Sequence, residues 1–346
     1  MKVLQFFYDH TQQFKTSYER KLSLERKNTL IKGAKACGKK AFLCNFLSSF
    51  EAKEILFLDF EDLRFEVLSL KHLQAFLEQN LQIKILVFEH VGRDFCFDFS
   101  KLKNICVFVT SEFKDFKLKG FDELELDFLD FEEFISSLKT QNFHSLLSLF
   151  LQNGRSVGVN DDFLKAHFSS LELEILKFIA LNLGLEFSVN ELYQNLKQRL
   201  KISKDSLYKS VENLHNRYIL HFVKHNEKNL KKVYFTDFAM KNLLSIKKDF
   251  KQLFENLVLS ELFKFKEELF YDKNFDFILH SKKLGFICTP FLDTELIKIR
   301  AKKILSKALQ MQIFHIIFIT LSNEEIFYEQ GVKFELISFE KWALGF

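Results

Sequence analysis

The run Gly33-Ala34-Lys35-Ala36-Cys37-Gly38-Lys39-Lys40 constrains this chain more than any other stretch, because it follows an apolar β-rich segment, Thr29–Lys32, and opens a helical one at Ala41. Its spacing is G-x-x-x-x-G-K. Glycines let the backbone N–H groups of such a loop curl around phosphates, and the lysine reaches the β and γ oxygens of a triphosphate. Gly33, Ala34, Lys35, Ala36, Cys37 and Gly38 form the cradle here, and Lys39 supplies the ammonium. A strand-loop-helix crossing of this kind belongs in a parallel sheet.

The surrounding pattern agrees. Short, nearly continuous apolar runs at 29–32, 55–60, 83–89, 105–110 and 124–128 alternate with helical stretches, as expected of buried parallel strands in an α/β layer. An acidic stretch, 121–135, carries seven acids and no base. Helical periodicity follows at 143–151 and 171–183, with Asn153-Gly154 and Gly158 marking the loop between them. Next come helices at 189–200 and from an N-cap at Ser203, then two β-like pieces, 219–224 and 232–236, around a polar tip at 225–229. Three helices and a hairpin make a winged helix-turn-helix. Strands at 275–279, 284–288 and 313–320 lie in a mixed α+β segment. With 346 residues the chain has room for three domains, placed at 1–160, 161–245 and 246–346.

Lysine and arginine (50) exceed aspartate and glutamate (46) by four, so any strongly basic surface is local. It is concentrated between 197 and 232, where ten basic residues face three acids: this window carries +7 and the remainder −3. A basic helix and wing are the footprint of phosphate-backbone binding, here to double-stranded DNA through Lys204, Lys209, Lys228, Lys231 and Lys232. No side-chain pair is placed to read bases, so any binding should be weakly sequence-selective, and a protein partner is the competing use of this surface. The five cysteines form no C-x-x-C pair, which argues against a zinc site and fits a reducing, cytoplasmic setting. The apolar runs at 1–10 and 311–321 are too short for a signal peptide or a bilayer span, so no membrane association is expected. The 45 phenylalanines sit where leucine or valine would serve and read as core filling.

Two positions depart from a complete nucleotide site. Lys40 stands where a magnesium-coordinating hydroxyl belongs, and an ammonium cannot ligate a cation. In Ile85-Leu86-Val87-Phe88-Glu89-His90, Glu89 replaces the usual metal-binding aspartate, and His90 takes the place of the water-activating carboxylate. Glu89 is therefore the candidate metal ligand and, with His90, the candidate catalytic pair. Thr110 and Ser111 end a strand where a polar residue senses the γ-phosphate, or where a hydroxyl satisfies strand-end backbone groups. Phosphate binding survives these changes better than hydrolysis, and Mg²⁺ is the doubtful component.

The order of these pieces resembles the bacterial and archaeal AAA-type predicted ATPases that carry a winged helix and a nuclease-like C-terminal domain. The likeness rests on the loop at 33–40, the acidic strand exit Leu58-Asp59-Phe60-Glu61-Asp62-Leu63-Arg64, the strand ending at Glu89-His90, Val107-Phe108-Val109-Thr110-Ser111, and Leu126-Asp127-Phe128-Leu129-Asp130-Phe131-Glu132-Glu133-Phe134. It runs from about residue 25 to the end. The resemblance implies a P-loop NTPase sheet binding ATP, a winged helix and a small α+β nuclease-like domain. Phe254-Glu255-Asn256-Leu257-Val258 and Phe275-Asp276-Phe277-Ile278 are similar to the segments that carry nuclease acids in that family. The next strand, Phe286-Ile287-Cys288-Thr289-Pro290, has cysteine and proline where the metal site needs glutamate and lysine. The expectation is a degenerate member: an ATP-binding protein, at most a slow ATPase and not a nuclease, whose nucleotide acts as a conformational ligand. The alternative is a non-enzymatic DNA- or protein-binding winged-helix scaffold that has lost nucleotide binding. Arg93 and Arg155 are candidates for an arginine finger, with neither assigned.

Overall fold

The computed structural model describes residues 1–346 except 12, 16–18, 103, 139–145, 156–158 and 346. The chain divides into two compact units, one built on 1–129 and the other on 130–135, 140–215 and 219–346, with 136–139 and 216–218 grouped with the first.

The first unit is a parallel sheet of β1 (Thr29–Lys32), β2 (Ile55–Asp59), β3 (Ile85–Glu89), β4 (Cys106–Ser111) and β5 (Asp122–Glu125), in the order β2-β3-β4-β1-β5. Period-2 alternation sends successive side chains to opposite faces, and both faces are apolar. Leu30, Leu56, Leu58, Leu86, Phe88, Val107 and Val109 pack on one side with Leu4 and Phe7 of α1 (Lys2–Asp9) and Leu73, Phe76 and Leu77 of α3 (Leu73–Gln79). Ile31, Ile55, Phe57, Ile85, Val87 and Phe108 pack on the other with Phe42, Leu43 and Leu47 of α2 (Lys39–Leu47). A sheet covered on both faces is why these strands read as continuous apolar runs.

The last strand differs from the expected 124–128. β5 pairs with β1 from Thr29↔Asp122 to Lys32↔Glu125, so it is an edge strand made of acidic residues. Lys27 Nζ lies 2.8 Å from Asp122 and Lys32 Nζ lies 2.6 Å from Glu123, so two of the three acids along this edge are matched by lysines. The apolar residues that suggested a strand, Leu126 and Phe128, instead pack into the core beyond its end.

In the second unit, α4 (Phe131–Ser137) opens with a reciprocal cap: Glu133 N–H donates to Asp130 Oδ1 at 2.8 Å, and Asp130 N–H to Glu133 Oε2 at 3.2 Å. Five helices follow: α5 (Leu146–Asn153), α6 (Asp161–His167), α7 (Ser170–Leu181), α8 (Val189–Leu196) and α9 (Lys204–Asn216). Residues 143–145 of the helix expected at 143–151, and Gly158, lie outside the described residues. An antiparallel hairpin of β6 (Leu220–His225) and β7 (Lys231–Phe235) comes next, then α10 (Met240–Leu244) and α11 (Phe250–Leu262). The chain ends with β8 (Phe270–Tyr271), β9 (Phe277–Leu279), β10 (Leu284–Cys288), α12 (Thr294–Gln310), β11 (His315–Thr320), β12 (Glu325–Glu329), β13 (Val332–Ser338) and α13 (Phe339–Leu344).

The expected domain boundary lies between 245 and 246. In the structure the hairpin before that point and the strands after it form one eight-stranded sheet, β12-β13-β11-β10-β9-β8-β6-β7, joined where Lys224 and His225 pair with Phe270 and Tyr271. Helix α11 fastens β7 from its side. Asn256 Oδ1 accepts from Phe235 N–H at 3.1 Å while its Nδ2 donates to Phe235 O at 2.8 Å, so a buried amide supplies both ladder bonds that a neighbouring strand would give.

Candidate functional site

The C-terminal ends of β1 to β4 carry Lys32, Asp59, Glu89 and Ser111, and the loop at 33–38 leaves from the first of them. This is the edge at which open parallel sheets place their ligands. Register decides which side chains meet: Asp59 is the partner of Glu89 across β2 and β3, and Lys32 is the partner of Ser111 across β1 and β4.

The loop is held by local bonds. Gly33 N–H donates to Ser111 O at 3.2 Å, Cys37 N–H to Ala34 O at 3.3 Å, and the Arg20 guanidinium to Cys37 O at 3.2 Å. Gly33 has no room for a side chain, since a Cβ there would lie 2.3 Å from Leu126 O. Gly38 adopts φ 94° as it caps α2, and Ala36 also has a positive φ, 63°. The helical ladder begins with Phe42 N–H donating to Gly38 O at 2.9 Å, so the amides of Lys39, Lys40 and Ala41 precede it and form the helix N-terminus. Lys39 is buried, and its ammonium donates to Gly33 O and Ala34 O, both at 2.8 Å. Beside it lies a cavity of about 230 Å³ lined by Lys35, Lys39, Glu61, His90, Glu112 and Phe113, with Val91 and Gly92. Lys35 is paired there with Glu61.

Next to the loop is an ionic cluster. Asp59, Glu89 and His90 bring ligand-type atoms within 4.8 Å of one another. His90 Nδ1 lies 2.8 Å from Asp59 Oδ1, and Lys40 Nζ lies 3.2 Å from Glu89 Oε2 and 3.7 Å from Asp59 Oδ2. Burial pushes the Glu89 carboxyl above its ordinary range, against the pull of Lys40 and His90. Burial also opposes the charge on Lys40, but Glu89 and Asp59 outweigh it and raise the ammonium's pKa. His90 behaves likewise: burial works against protonation, while the Asp59 hydrogen bond and nearby carboxylates raise its pKa. Asp59 shows the converse. Burial raises its pKa, and the bonds from His90 and Glu61 N–H more than reverse that.

Thr110 and Ser111 are occupied by backbone. Thr110 Oγ1 accepts from His90 N–H at 3.0 Å, and Ser111 Oγ donates to Val91 O at 3.0 Å. They hold the turn after β3, in which His90 has φ 59°. These bonds fit a strand-end anchor, and the Thr110 hydroxyl, an acceptor here, keeps its own hydrogen to donate. Asp59 and Glu61, signalled only by the acidic strand exit 58–64, line the cluster and cavity without having been singled out for it, and Arg20, which braces the loop, had no local signal.

The basic residues of the second unit separate into two groups. Lys204, Lys209 and Lys228 are exposed. Lys231 lies 4.2 Å above the Phe222 ring, and burial lowers its pKa. Lys232 points inward, at 2.8 Å from Glu255 Oε1. The expectation of five surface contacts is corrected at this position: the eight-stranded sheet and α11 enclose Lys232, and its charge is committed to a buried carboxylate. Asp276 Oδ2 accepts from Cys288 N–H at 2.7 Å, so both acids of the nuclease-like segments have structural partners. The two arginine-finger candidates are also engaged. Arg155 is buried and donates to Thr236 O at 3.1 Å, and Arg93 lies 3.2 Å from Asp115 and 4.5 Å over the Phe113 ring.

No protein-family model matches the chain, and a comparison with curated proteins finds no match. Among solved structures it is similar to a Walker-type ATPase of Pyrococcus abyssi, at 15% identity over 66% of this chain and 98% of that one, with a TM-score of 0.42. It is also similar to a signal-transduction ATPase with numerous domains and a tetratricopeptide repeat sensor from Pyrococcus horikoshii, at 12% identity over 86% of this chain and 53% of that one, TM-score 0.26. A third is the Aeropyrum pernix ORC1 protein in complex with DNA, at 12% identity over 64% and 87%, TM-score 0.26. The fold assignment rests on the chain's own topology: a parallel sheet ordered β2-β3-β4-β1-β5 whose first strand feeds a glycine loop and helix is an α/β sheet of the P-loop NTPase kind. Among the described residues no helix is long and apolar enough to cross a membrane.

Proposed function

We propose that this protein binds ATP in the loop at 33–40 and uses it mainly as a conformational ligand, with hydrolysis slow or absent. The observation that carries the reading is Lys39. A buried ammonium bonded to two loop carbonyls beside a cavity is positioned to exchange those carbonyls for phosphate oxygens, and the N-terminus of α2 adds its dipole at the same point. Slow turnover follows from the neighbouring groups. His90, bonded to Asp59, stands where the water-activating carboxylate of this fold class belongs. Magnesium, which sites of this fold class commonly use, does not fit the residues present: Lys40 replaces the hydroxyl ligand and its ammonium faces Glu89.

Titration with a fluorescent ATP analogue tests this. Lys39→Ala should weaken binding about tenfold or more, the loss of a charge-assisted bond to phosphate, and equal affinities would remove the hypothesis. Phosphate release by the parent should run on the order of 10⁻³ per second or slower, the range of an NTPase without its activating group.

A second reading, a scaffold for DNA or protein, is favoured by one observation. Lys204 and Lys209 on α9 and Lys228 at the hairpin tip are exposed; Lys209 also lines a polar groove of about 530 Å³ that includes the acids Glu172 and Asp205, so the exposed lysines and not the groove carry this reading. We read α7 to α9 and the β6-β7 hairpin as a winged helix presenting these lysines to a phosphate backbone. Gel-shift titration of duplex DNA at two salt concentrations distinguishes the readings: a steep salt slope supports this one and no binding at low salt opposes it.

A further inference from the structure

We infer that Lys40 is a built-in replacement for the divalent cation, so that nucleotide binds to this protein without Mg²⁺. The inference rests on the nucleotide reading of the loop at 33–40 and concerns what that site requires.

The ends of β2 and β3 bring two carboxylates together. Asp59 and Glu89 face each other by register, and Glu89 is 1% exposed. Two carboxylates this close, one of them withdrawn from water, need a positive charge between or beside them. In an ordinary site a metal ion meets that need when substrate arrives. Here Lys40, the first residue after the phosphate-loop lysine, lies 3.2 Å from Glu89 Oε2 and 3.7 Å from Asp59 Oδ2, and His90 closes the third side through its 2.8 Å bond to Asp59 Oδ1. The notch already holds its cationic charge.

A divalent ion does not fit beside it. Magnesium requires near-octahedral oxygen ligands at about 2.1 Å. An ammonium has no lone pair to contribute, and at its observed distance from Glu89 it would repel an ion on the same carboxylate. The Lys40 side chain is 57% exposed and directly follows Lys39 at the start of α2, the helix N-terminus to which the nucleotide reading assigns the phosphates. With Lys39 on one side and Lys40 on the other, a bound triphosphate meets two tethered ammonium groups, and the second neutralises the charge that Mg²⁺ would otherwise screen. No bond is made or broken in this step.

The test compares ATP-analogue affinity in Mg²⁺ and in EDTA for the parent, Lys39→Ala and Lys40→Ser. The parent should bind within about threefold equally in the two conditions, whereas Lys40→Ser should bind about tenfold more tightly with Mg²⁺ than without. A parent that loses about tenfold or more in EDTA overturns the inference and leaves nucleotide binding standing. A parent that binds nucleotide in neither condition overturns the nucleotide reading itself. A second arm needs no nucleotide: Mn²⁺ titration followed by electron paramagnetic resonance. Lys40→Ser should take up Mn²⁺ and lose it again when Glu89→Gln is added, while the parent takes up none at this site. Parent uptake abolished by Glu89→Gln would overturn the inference independently.

Discussion

Lys232 Nζ lies 2.8 Å from Glu255 Oε1, with the two side chains only 15% and 7% exposed, and the same carboxylate accepts the Tyr234 hydroxyl. A hairpin strand and a helix 23 residues further on are thus joined by a nearly buried charge pair. Burial and Asp276 push the Glu255 carboxyl up, while Lys232 and Tyr234 pull it back, so the pair is finely opposed. Removing one partner leaves the other as an uncompensated buried charge, which costs about 3 to 5 kcal/mol. Lys232→Met should therefore lower the urea midpoint sharply, and adding Glu255→Leu should restore part of the loss. An unchanged midpoint in the single variant would contradict this placement.

Gly33 and Gly38 should fail differently. A Cβ at Gly33 meets Leu126 O at 2.3 Å and Cys37 Sγ at 2.9 Å, and neither backbone nor core can retreat far, so Gly33→Ala is expected to cost about 1 to 3 kcal/mol. Gly38→Ala meets a backbone penalty at φ 94°, about 1 kcal/mol. Thermal unfolding of the two variants checks the order.

The His90–Asp59 pair makes stability depend on pH in a stated direction. His90 has a folded pKa above its ordinary 6.5, so its contribution is fully present below pH 6.5 and is lost as pH rises through the folded value. Asp59, held below its ordinary 3.8, contributes above pH 3.8 and loses this as pH falls through its folded value. The parent should exceed His90→Asn in stability by about 1 kcal/mol between these limits, asparagine being tolerant of positive φ. Denaturation across pH should show the gap narrowing as pH climbs above 6.5. A gap that widens instead would exclude the ion pair as its source.

Under the scaffold reading, the surface lysines divide by exposure. Lys204→Glu, Lys209→Glu and Lys228→Glu should each weaken duplex binding and lower the salt slope by about 1, whereas Lys232→Met should leave the slope unchanged. Binding measured across a salt series, using variants confirmed to be folded, separates the two groups.

Residues close in sequence are where reading and structure agree. The loop at 33–40, the apolar strands, the place of Lys39 and Lys40 at the start of a helix and of Glu89 and His90 at a strand end follow from local pattern, because period-2 burial and glycine-dependent turns are set by a few neighbouring residues. The edge strand β5 was harder to place. Asp122 and Glu123 pair with Lys27 and Lys32, about ninety residues earlier in the chain, and no local signal distinguishes such an edge from an exposed loop.

By itself, the sequence of this protein determined the α/β character of its first half, the phosphate-loop geometry and the substitution of a hydroxyl by an ammonium at Lys40. Only the tertiary structure decided that this ammonium faces Glu89 and Asp59, that the Thr110 hydroxyl accepts from His90 N–H, and that Lys232 is paired with the buried Glu255. The reason is physical: periodicity reports which face of an element is buried, whereas the partner of a buried charge is chosen by strand register and by how distant elements pack, and both are settled only when the sheets assemble.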